Sequence, residues 1–339
     1  MYEVSVIIPN FNGKKYLKDC LDSMRKQDCE NFEVILVDNG SEDGSTDYVR
    51  EVYPEVQVIA LKENTGFCTA VNTGIKVSTG SYVILLNNDT IAEPSFVSSL
   101  LKSMKRHQRA FSCQAKMIQM QDHGKMDDAG NYYCAFGWAF ADGKGRNQEN
   151  YNTEKKIFSA CAGAAIYRKK VLDRIGLFDH EHFAYLEDLD VGYRARIAGY
   201  DNIYCPTAMV YHVGSGTSGS RYNLFKVRYS SRNNIYMIYK NMPLWQIVWN
   251  FPLLLLGFGC KALFFAKKGF GKEYLAGMKN GFTISRQNRT RKVKDIAFGT
   301  YLRIQWELYC NIIIFAKIEN FDGEERRTVT HVEAIYTGK

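Results

Sequence analysis

The 339-residue sequence predicts an α/β fold: a mainly parallel central sheet flanked by helices, followed by a helical C-terminal appendage. Three observations carry this expectation. Short β-branched runs alternate with segments of helical periodicity from Val4 to Met104. The run Val83-Ile84-Leu85-Leu86-Asn87-Asn88-Asp89 is too short for a helix and is flanked by Gly80 and Pro94, as expected of a strand buried on both faces. Residues 244–266 are mostly apolar and lead into closely spaced lysines and arginines.

Val4-Ser5-Val6-Ile7-Ile8-Pro9 is a strand closed by proline, and Asn10-Phe11-Asn12-Gly13 is a turn. Tyr16/Leu17, Cys20/Leu21 and Met24 then recur at helical spacing. Phe32 to Val37 forms a second strand ending in Asp38-Asn39-Gly40-Ser41. A carboxylate just beyond such a strand can accept hydrogen bonds from a ribose or a base, or can simply form an Asx turn into the next helix. Val56 to Leu61 is a third strand, followed by Asn64-Thr65-Gly66-Phe67 and by Val71, Asn72 and Ile75 at helical spacing. Gly66 would let the backbone approach a ligand closely. The fourth strand is the run ending in Asp89. Ligands of open α/β sheets bind at the carboxyl edge, which puts Asp89 where it could hold a cation or polar ligand, or could cap the helix that starts near Pro94.

From Phe111 to about Asn150, glycines and aromatics interleave without a clear period, which suggests hairpins or loops laid over the sheet. Ile157 to Arg168 is dense in small residues around Gly163-Ala164-Ala165, for ligand passage or for tight packing. In Leu177 to Asp190 two aromatics precede a cluster of acids. Leu189, Tyr193 and Ile197 place Glu187 and Asp188 at a helix N-terminus, a position the helix dipole alone would favour for carboxylates. Asn202 to His212 is another strand. His212 at its end is a metal ligand, a phosphate contact or an ordinary surface histidine. The glycines and hydroxyls of Val213 to Ser220 could close over a pyrophosphate.

The net charge of +8 is unevenly divided, with −4 over residues 1–218 and +12 over residues 219–339. That asymmetry points the C-terminal part toward an anionic surface or a solvated basic face. Nine scattered cysteines without a C-x-x-C pair argue against a disulfide framework or zinc knuckle and for a reducing compartment. Met1 to Pro9 enters a strand directly, with no basic segment leading into an apolar one, so export through a signal peptide is not expected. No stacking-aromatic or zinc motif accompanies the basic half, which excludes a nucleic-acid protein. The apolar segment Leu244 to Ala266 contains Gln246, Asn250, Pro252 and Lys261 and is followed by Lys267, Lys268, Lys272, Arg286, Arg289, Arg291, Lys292 and Lys294. An interfacial helix on an anionic leaflet fits this better than a clean span, with a dimer contact as the third reading.

Five islands stand in order along Val4 to Ser220: Val6-Ile7-Ile8-Pro9-Asn10-Phe11-Asn12-Gly13, Val37-Asp38-Asn39-Gly40-Ser41, Asn64-Thr65-Gly66-Phe67 with Asn72, Leu85-Leu86-Asn87-Asn88-Asp89, and Phe178-Asp179 through Glu187-Asp188-Leu189-Asp190 to His212. In these the chain resembles the family 2 inverting glycosyltransferases, and among them bacterial rhamnosyltransferase-like enzymes of cell-surface polysaccharide synthesis. The apolar segment and basic cluster make 221–339 a basic, partly apolar helical region expected to associate with the membrane, and the resemblance implies a GT-A catalytic domain at 1–220. It implies a nucleoside-diphosphate sugar donor, dTDP- or UDP-linked, a divalent cation (Mg²⁺ or Mn²⁺), a lipid-linked glycan acceptor and a peripheral location on the cytoplasmic face. A polyprenyl-phosphate glycosyltransferase and a non-catalytic nucleotide-sugar-binding scaffold subunit are the alternatives.

Carried over by position, Pro9, Asn10 and Asp38 border the nucleoside, Asn64, Gly66 and Asn72 help hold it, and Asn88, Gly163 and Ala164 complete the donor site. Asp89 matches the last acid of the family's D-x-D motif and ligates the cation with His212. The motif here reads Asn-Asn-Asp, so one carboxylate remains and most coordination falls to the diphosphate and water. Inversion requires a base across the sugar from the leaving group. Asp188 takes that role, with Glu187 positioning the acceptor or exchanging roles with it.

Overall fold

The computed structural model describes residues 2–214, 222–288 and 298–337. The expected alternation is present in β1 (Val4–Asn10), α1 (Lys14–Arg25), β2 (Phe32–Asp38), α2 (Ser45–Val52), β3 (Gln57–Ala60), α3 (Phe67–Val77) and β4 (Tyr82–Leu86). Along β1, Val4, Val6 and Ile8 enter one apolar cluster with Leu17, Cys20, Leu21 and Met24 of α1, while Ile7 enters another with Cys68, Val71 and Ile75 of α3. A strand that is apolar on both faces needs a helix on each, which is what the sequence supplies. Gly74 allows α3 to lie close on the sheet, since a Cβ there would come 2.5 Å from Ile7 Cγ2.

The chain continues through β5 (Thr90–Ala92), α4 (Phe96–Arg106), β6 (Ala110–Gln119), β7 (Asp122–Asp128), β8 (Asn131–Cys134), β9 (Trp138–Ala141), β10 (Lys155–Ile157), β11 (Ala164–Arg168), α5 (Lys169–Ile175), α6 (Glu187–Ile197) and β12 (Asp201–His212). The main sheet has the order β10-β12-β6-β11-β4-β1-β2-β3, with β5 on β12 and β7 on β6. β1 to β4, β6 and β12 run in one direction, and β11 is antiparallel between β4 and β6. The mainly parallel sheet with flanking helices is thus as expected.

The 111–150 region departs in part from that expectation. β8 and β9 do form a separate hairpin, but β6 is a ten-residue strand inside the main sheet. Its alternating polar residues Ser112, Gln114 and Lys116 are all buried. Their side chains are satisfied by Asn202 at 2.7 Å, Asp128 at 2.7 Å and Asn152 at 2.7 Å. Such pairing makes burial of polar groups tolerable and leaves no trace in the periodicity.

The C-terminal region is α7 (Leu224–Asn241), α8 (Leu244–Lys267), α9 (Gly271–Gln287) and α10 (Phe298–Thr337). α7 is joined to the sheet-bearing part by a buried charge network. Lys240 Nζ donates to Asp179 Oδ2 at 2.8 Å and to Asp190 Oδ2 at 2.9 Å, and Arg194 Nε donates to Asp190 Oδ2 at 2.9 Å. Asp190, the third acid of the predicted cluster, is therefore used in holding α6 to α7. α10 docks on the hairpin, with Asn311 Nδ2 donating to Tyr133 O at 2.7 Å and Glu307 paired with Arg196.

α8 is apolar on its outside and carries two amides on its inside, along with Leu254. Gln246 and Asn250 are buried against Gln305 of α10 through hydrogen bonds of 2.7–2.9 Å. Leu244, Val248, Trp249, Phe251, Leu255, Leu256 and Leu263 are exposed. Among the described residues α8 is the one helix long and apolar enough to cross a membrane by length and composition, and 17% of its most apolar window is buried.

Candidate active site

One side of the site is built where β4 and β12 end and β5 begins. Asn87 N donates to Gly163 O at 2.8 Å as the chain leaves β4, and β5 then pairs antiparallel with the end of β12, Thr90 facing His212. This register brings His212 Nε2 to 3.2 Å from Asp89 Oδ1. The other ring nitrogen, Nδ1, pairs with Asp127 Oδ2 at 2.7 Å, and Lys144 Nζ lies 2.9 Å from Asp127 Oδ1. Burial alone would lower the imidazole pKa, but the two carboxylates outweigh it and lift it to about 9. Burial opposes the charge on Asp127, yet His212 and Lys144 hold its pKa down to about 2.

Amides line the adjoining wall. Asn88 Nδ2 donates to Asn10 Oδ1 at 2.6 Å, and Asn10 Nδ2 donates to Asp38 Oδ1 at 2.8 Å. Asn39 and Asn64 fix the next loop, with Asn39 Nδ2 donating to Asn64 Oδ1 and Thr65 N to Asn39 Oδ1, both at 3.0 Å. Gly66 sits at φ +85°, and a Cβ there would meet the Phe183 ring at 2.6 Å. Both its conformation and its surroundings call for glycine.

Opposite lies the N-terminus of α6. Asp188 Oδ1 accepts from Leu189 N at 2.7 Å, and its Oδ2 accepts from Asn131 Nδ2 at 3.1 Å. Glu187 Oε2 is buried without a hydrogen-bond partner. Burial pushes both carboxyl pKa values above the ordinary range, and the neighbouring Asp188 charge raises Glu187 further. Backbone N–H groups partly offset the rise at Asp188, so Asp188 ionises first. The segment leading in is strained, with Phe183, Tyr185 and Leu186 at φ +59°, +71° and +64°. It is gripped from α7. Asn233 Nδ2 donates to the carbonyls of His182 (2.9 Å), Ala184 (2.9 Å) and Tyr185 (2.7 Å), and Arg232 donates to those of Glu181 and His182.

These walls enclose one cavity of about 700 Å³. Of the predicted residues, Pro9, Asn10, Asn64, Gly66, Asn88, Asp89, Gly163, Glu187, Asp188 and His212 line it. Asp38, Asn72 and Ala164 do not. Asp38 stands behind Asn10, and Asn72 spends its amide on Phe178 N and O at 3.1 and 2.6 Å. Ala164 packs in the core beneath. The 213–220 loop lies, from residue 215, outside the described residues, as do Arg289, Arg291, Lys292 and Lys294. Sequence reasoning missed Asp127, Asn131, Arg232 and Asn233. Among the described residues no group of three or more His, Cys, Asp and Glu side chains converges as a metal site. Asp89 and His212, the latter once a cation displaces its Nε2 proton, give one oxygen and one nitrogen donor at the cavity wall, a set that suits a cation whose remaining ligands are phosphate oxygens and water.

The family described as Glycosyl transferase family 2 matches residues 5–176. An uncharacterized glycosyltransferase of Rickettsia prowazekii is 27% identical over 202 residues, covering 56% of this chain and 58% of that protein. The N-acetylglucosaminyl-diphospho-decaprenol L-rhamnosyltransferase of Mycobacterium tuberculosis is 24% identical over 239 residues, covering 63% of this chain and 77% of that protein. The chain thus spans a little over half the length of the first relative. Among solved structures, GalNAc-T7 with UDP, GalNAc and Mn²⁺ superposes with a TM-score of 0.57 at 14% identity, covering 70% of this chain and 48% of that one. The mannosyltransferase PcManGT of Pyrobaculum calidifontis, in complex with GDP-Man and Mn²⁺, gives 0.52 at 15% identity, covering 84% and 85%. These likenesses show the fold that the sequence led one to expect.

Proposed function

The chain belongs to glycosyl transferase family 2 with a GT-A fold, and from that premise we propose that it moves a sugar, rhamnose or another hexose, from a dTDP- or UDP-linked donor to a lipid-linked glycan with inversion. The observation carrying this reading is the single cavity that has Asp89 and His212 on one wall and Glu187 and Asp188 on the other.

Asn10, Asn64, Asn88 and the open backbone at Gly66 and Gly163 bind and orient the donor nucleotide. Asp38 acts through Asn10. Asp89 and His212 hold a divalent cation, Mg²⁺ or Mn²⁺. Such a cation, when bound, neutralises charge gathering on the departing diphosphate. The acceptor hydroxyl approaches from the α6 side. Asp188, ionised first and aligned by Leu189 N and Asn131, takes the hydroxyl proton as the new C–O bond forms. The electron pair of the broken C–O bond leaves with the nucleoside diphosphate. Glu187, held protonated by burial and by the Asp188 charge, donates a hydrogen bond that positions the acceptor.

Residues 1–220 carry the chemistry in this reading, with α7 bracing them. Residues 221–339 hold the enzyme on the cytoplasmic face of the membrane. The exposed apolar face of α8 and the +12 charge of residues 219–339 support that attachment. A second copy covering the same face would instead make a homodimer. The test is a thermal-shift panel of UDP-, dTDP- and GDP-sugars with and without Mn²⁺, followed by donor hydrolysis with the sugar that binds. Mn²⁺-dependent stabilisation and release of nucleoside diphosphate are expected. A chain that no nucleotide sugar stabilises would overturn the donor reading, and binding without any turnover would make it a scaffold.

A further inference from the structure

A second cavity, of about 500 Å³, opens between α7 and α9 and is lined by Leu224, Phe225, Arg228, Tyr229, Arg232 and Glu273 with Asn280. Phe225 lines both cavities. Its ring lies 4.4 Å from that of Tyr229, 5.9 Å from Tyr185 and 6.2 Å from Phe183, forming an aromatic ridge next to the strained segment that leads into Glu187. The groove therefore adjoins the main cavity at the Phe225 ring, beside Phe183 and Tyr185.

Two arginines face one carboxylate here. Arg232 is fixed by the carbonyls of Glu181 and His182. Arg228 is 52% exposed and meets Glu273 at 3.9 Å, too far for a hydrogen bond. A guanidinium held at a groove wall with so loose a partner suits bidentate binding of phosphate. The apolar side of the groove is the start of α7, where Leu224 and Phe225 are exposed, and Tyr222 just before them packs on Phe264 and Phe265 near the end of α8.

We propose that the α7–α9 groove binds the phosphate of a prenyl-linked acceptor, with Arg228 as its main contact and the apolar side leading the prenyl chain toward α8. Assignment of this phosphate to an acceptor rests on the transfer proposed above. The phosphate enters beside Phe225, so the glycan it carries reaches past the aromatic ridge to Glu187 and Asp188. Glu273 competes with the phosphate for Arg228.

The probes are farnesyl diphosphate and farnesol, bound to the full chain in EDTA so that no cation recruits diphosphate to Asp89. The diphosphate is expected to bind more tightly than the alcohol. Arg228→Gln should weaken it about tenfold or more, the loss expected for one charge-assisted contact. Glu273→Gln should tighten it, which keeps the test decisive if the first variant fails to fold. Equal binding of the two probes, or indifference of the diphosphate to both substitutions, overturns the proposal. Vesicles of phosphatidylglycerol form a further arm. If Arg228→Gln reduces vesicle binding as much as farnesyl diphosphate binding, the groove is a lipid-headgroup contact and the acceptor assignment falls. Nucleotide-sugar binding with Mn²⁺ is measured on the same preparation, so loss of the donor reading is seen separately from loss of the groove.

Discussion

Asn233→Ala removes a grip on the α6 entry that comes from α7. One amide nitrogen donates to three carbonyls, at 2.7–2.9 Å, and Asn233 is fully buried. His182 O keeps Arg232 and Ala184 N as donors, so the loss falls on the half-buried carbonyls of Ala184 and Tyr185 and costs roughly 2–4 kcal/mol. The three left-handed residues it restrains, Phe183, Tyr185 and Leu186, store about 1–2 kcal/mol each. Restraint and strain are thus comparable, and without Asn233 the segment relaxes and carries Glu187 and Asp188 out of line. Misplacement of about 1 Å at reacting groups lowers turnover about a hundredfold. Asn233 is a positioning residue, so the expected signature is a fall in kcat with donor KM nearly unchanged and a lower urea midpoint. Asn233→Asp, which keeps the shape and turns donors into acceptors, should be worse. Wild-type kcat in a folded Asn233→Ala protein would refute the reasoning.

Asp188→Asn should lower transfer by about a hundredfold or more while nucleotide affinity survives, as for loss of a general base, and near-normal turnover would remove Asp188 from that role. Asp127→Asn should weaken Mn²⁺ binding by about ten- to a hundredfold, read by Mn²⁺ electron paramagnetic resonance, because it loosens the orientation of His212; unchanged affinity would make the contact merely structural. The raised pKa values of Glu187 and Asp188 mean that the folded chain keeps protons the unfolded chain releases. Stability should therefore fall as pH rises from the ordinary carboxylate range, about 4, through the raised folded values. Glu187→Gln should flatten part of that slope in a melting series, with Asp128, raised by burial to about 7, supplying the same sign in the remainder. A slope as steep as wild type would show that Glu187 titrates normally.

The strands β1, β2 and β4 were legible because apolar residues on both faces leave continuous runs, and the polar tips of those runs marked the sheet edge where the cavity opens. Asp89, His212, Glu187 and Asp188 could be found because each ends or begins a periodic segment. Asp127 could not, since its partner His212 is a distant residue brought near by the pairing of β6 with both β7 and β12. Its position in a glycine- and aromatic-rich stretch hid it, although the pair Asp127-Asp128 was the available signal. The left-handed residues 183–186 contain no glycine to announce the turn, and the polar triplet Arg232-Asn233-Asn234 inside a helical pattern was the clue to what restrains them. Asn72 shows the reverse error, an amide at a plausible position whose hydrogen bonds are already used by Phe178.

Gln246 and Asn250 of α8 are hydrogen-bonded to Gln305 inside the molecule, while Leu244, Trp249, Leu255, Leu256 and Leu263 are turned outward. Dilution in plain buffer therefore cannot relieve the helix by rotating it, because a roll about its axis would strand Gln246 and Asn250 as well. The free chain should scatter light increasingly with concentration and clear on addition of detergent or lipid, without change in its helical content.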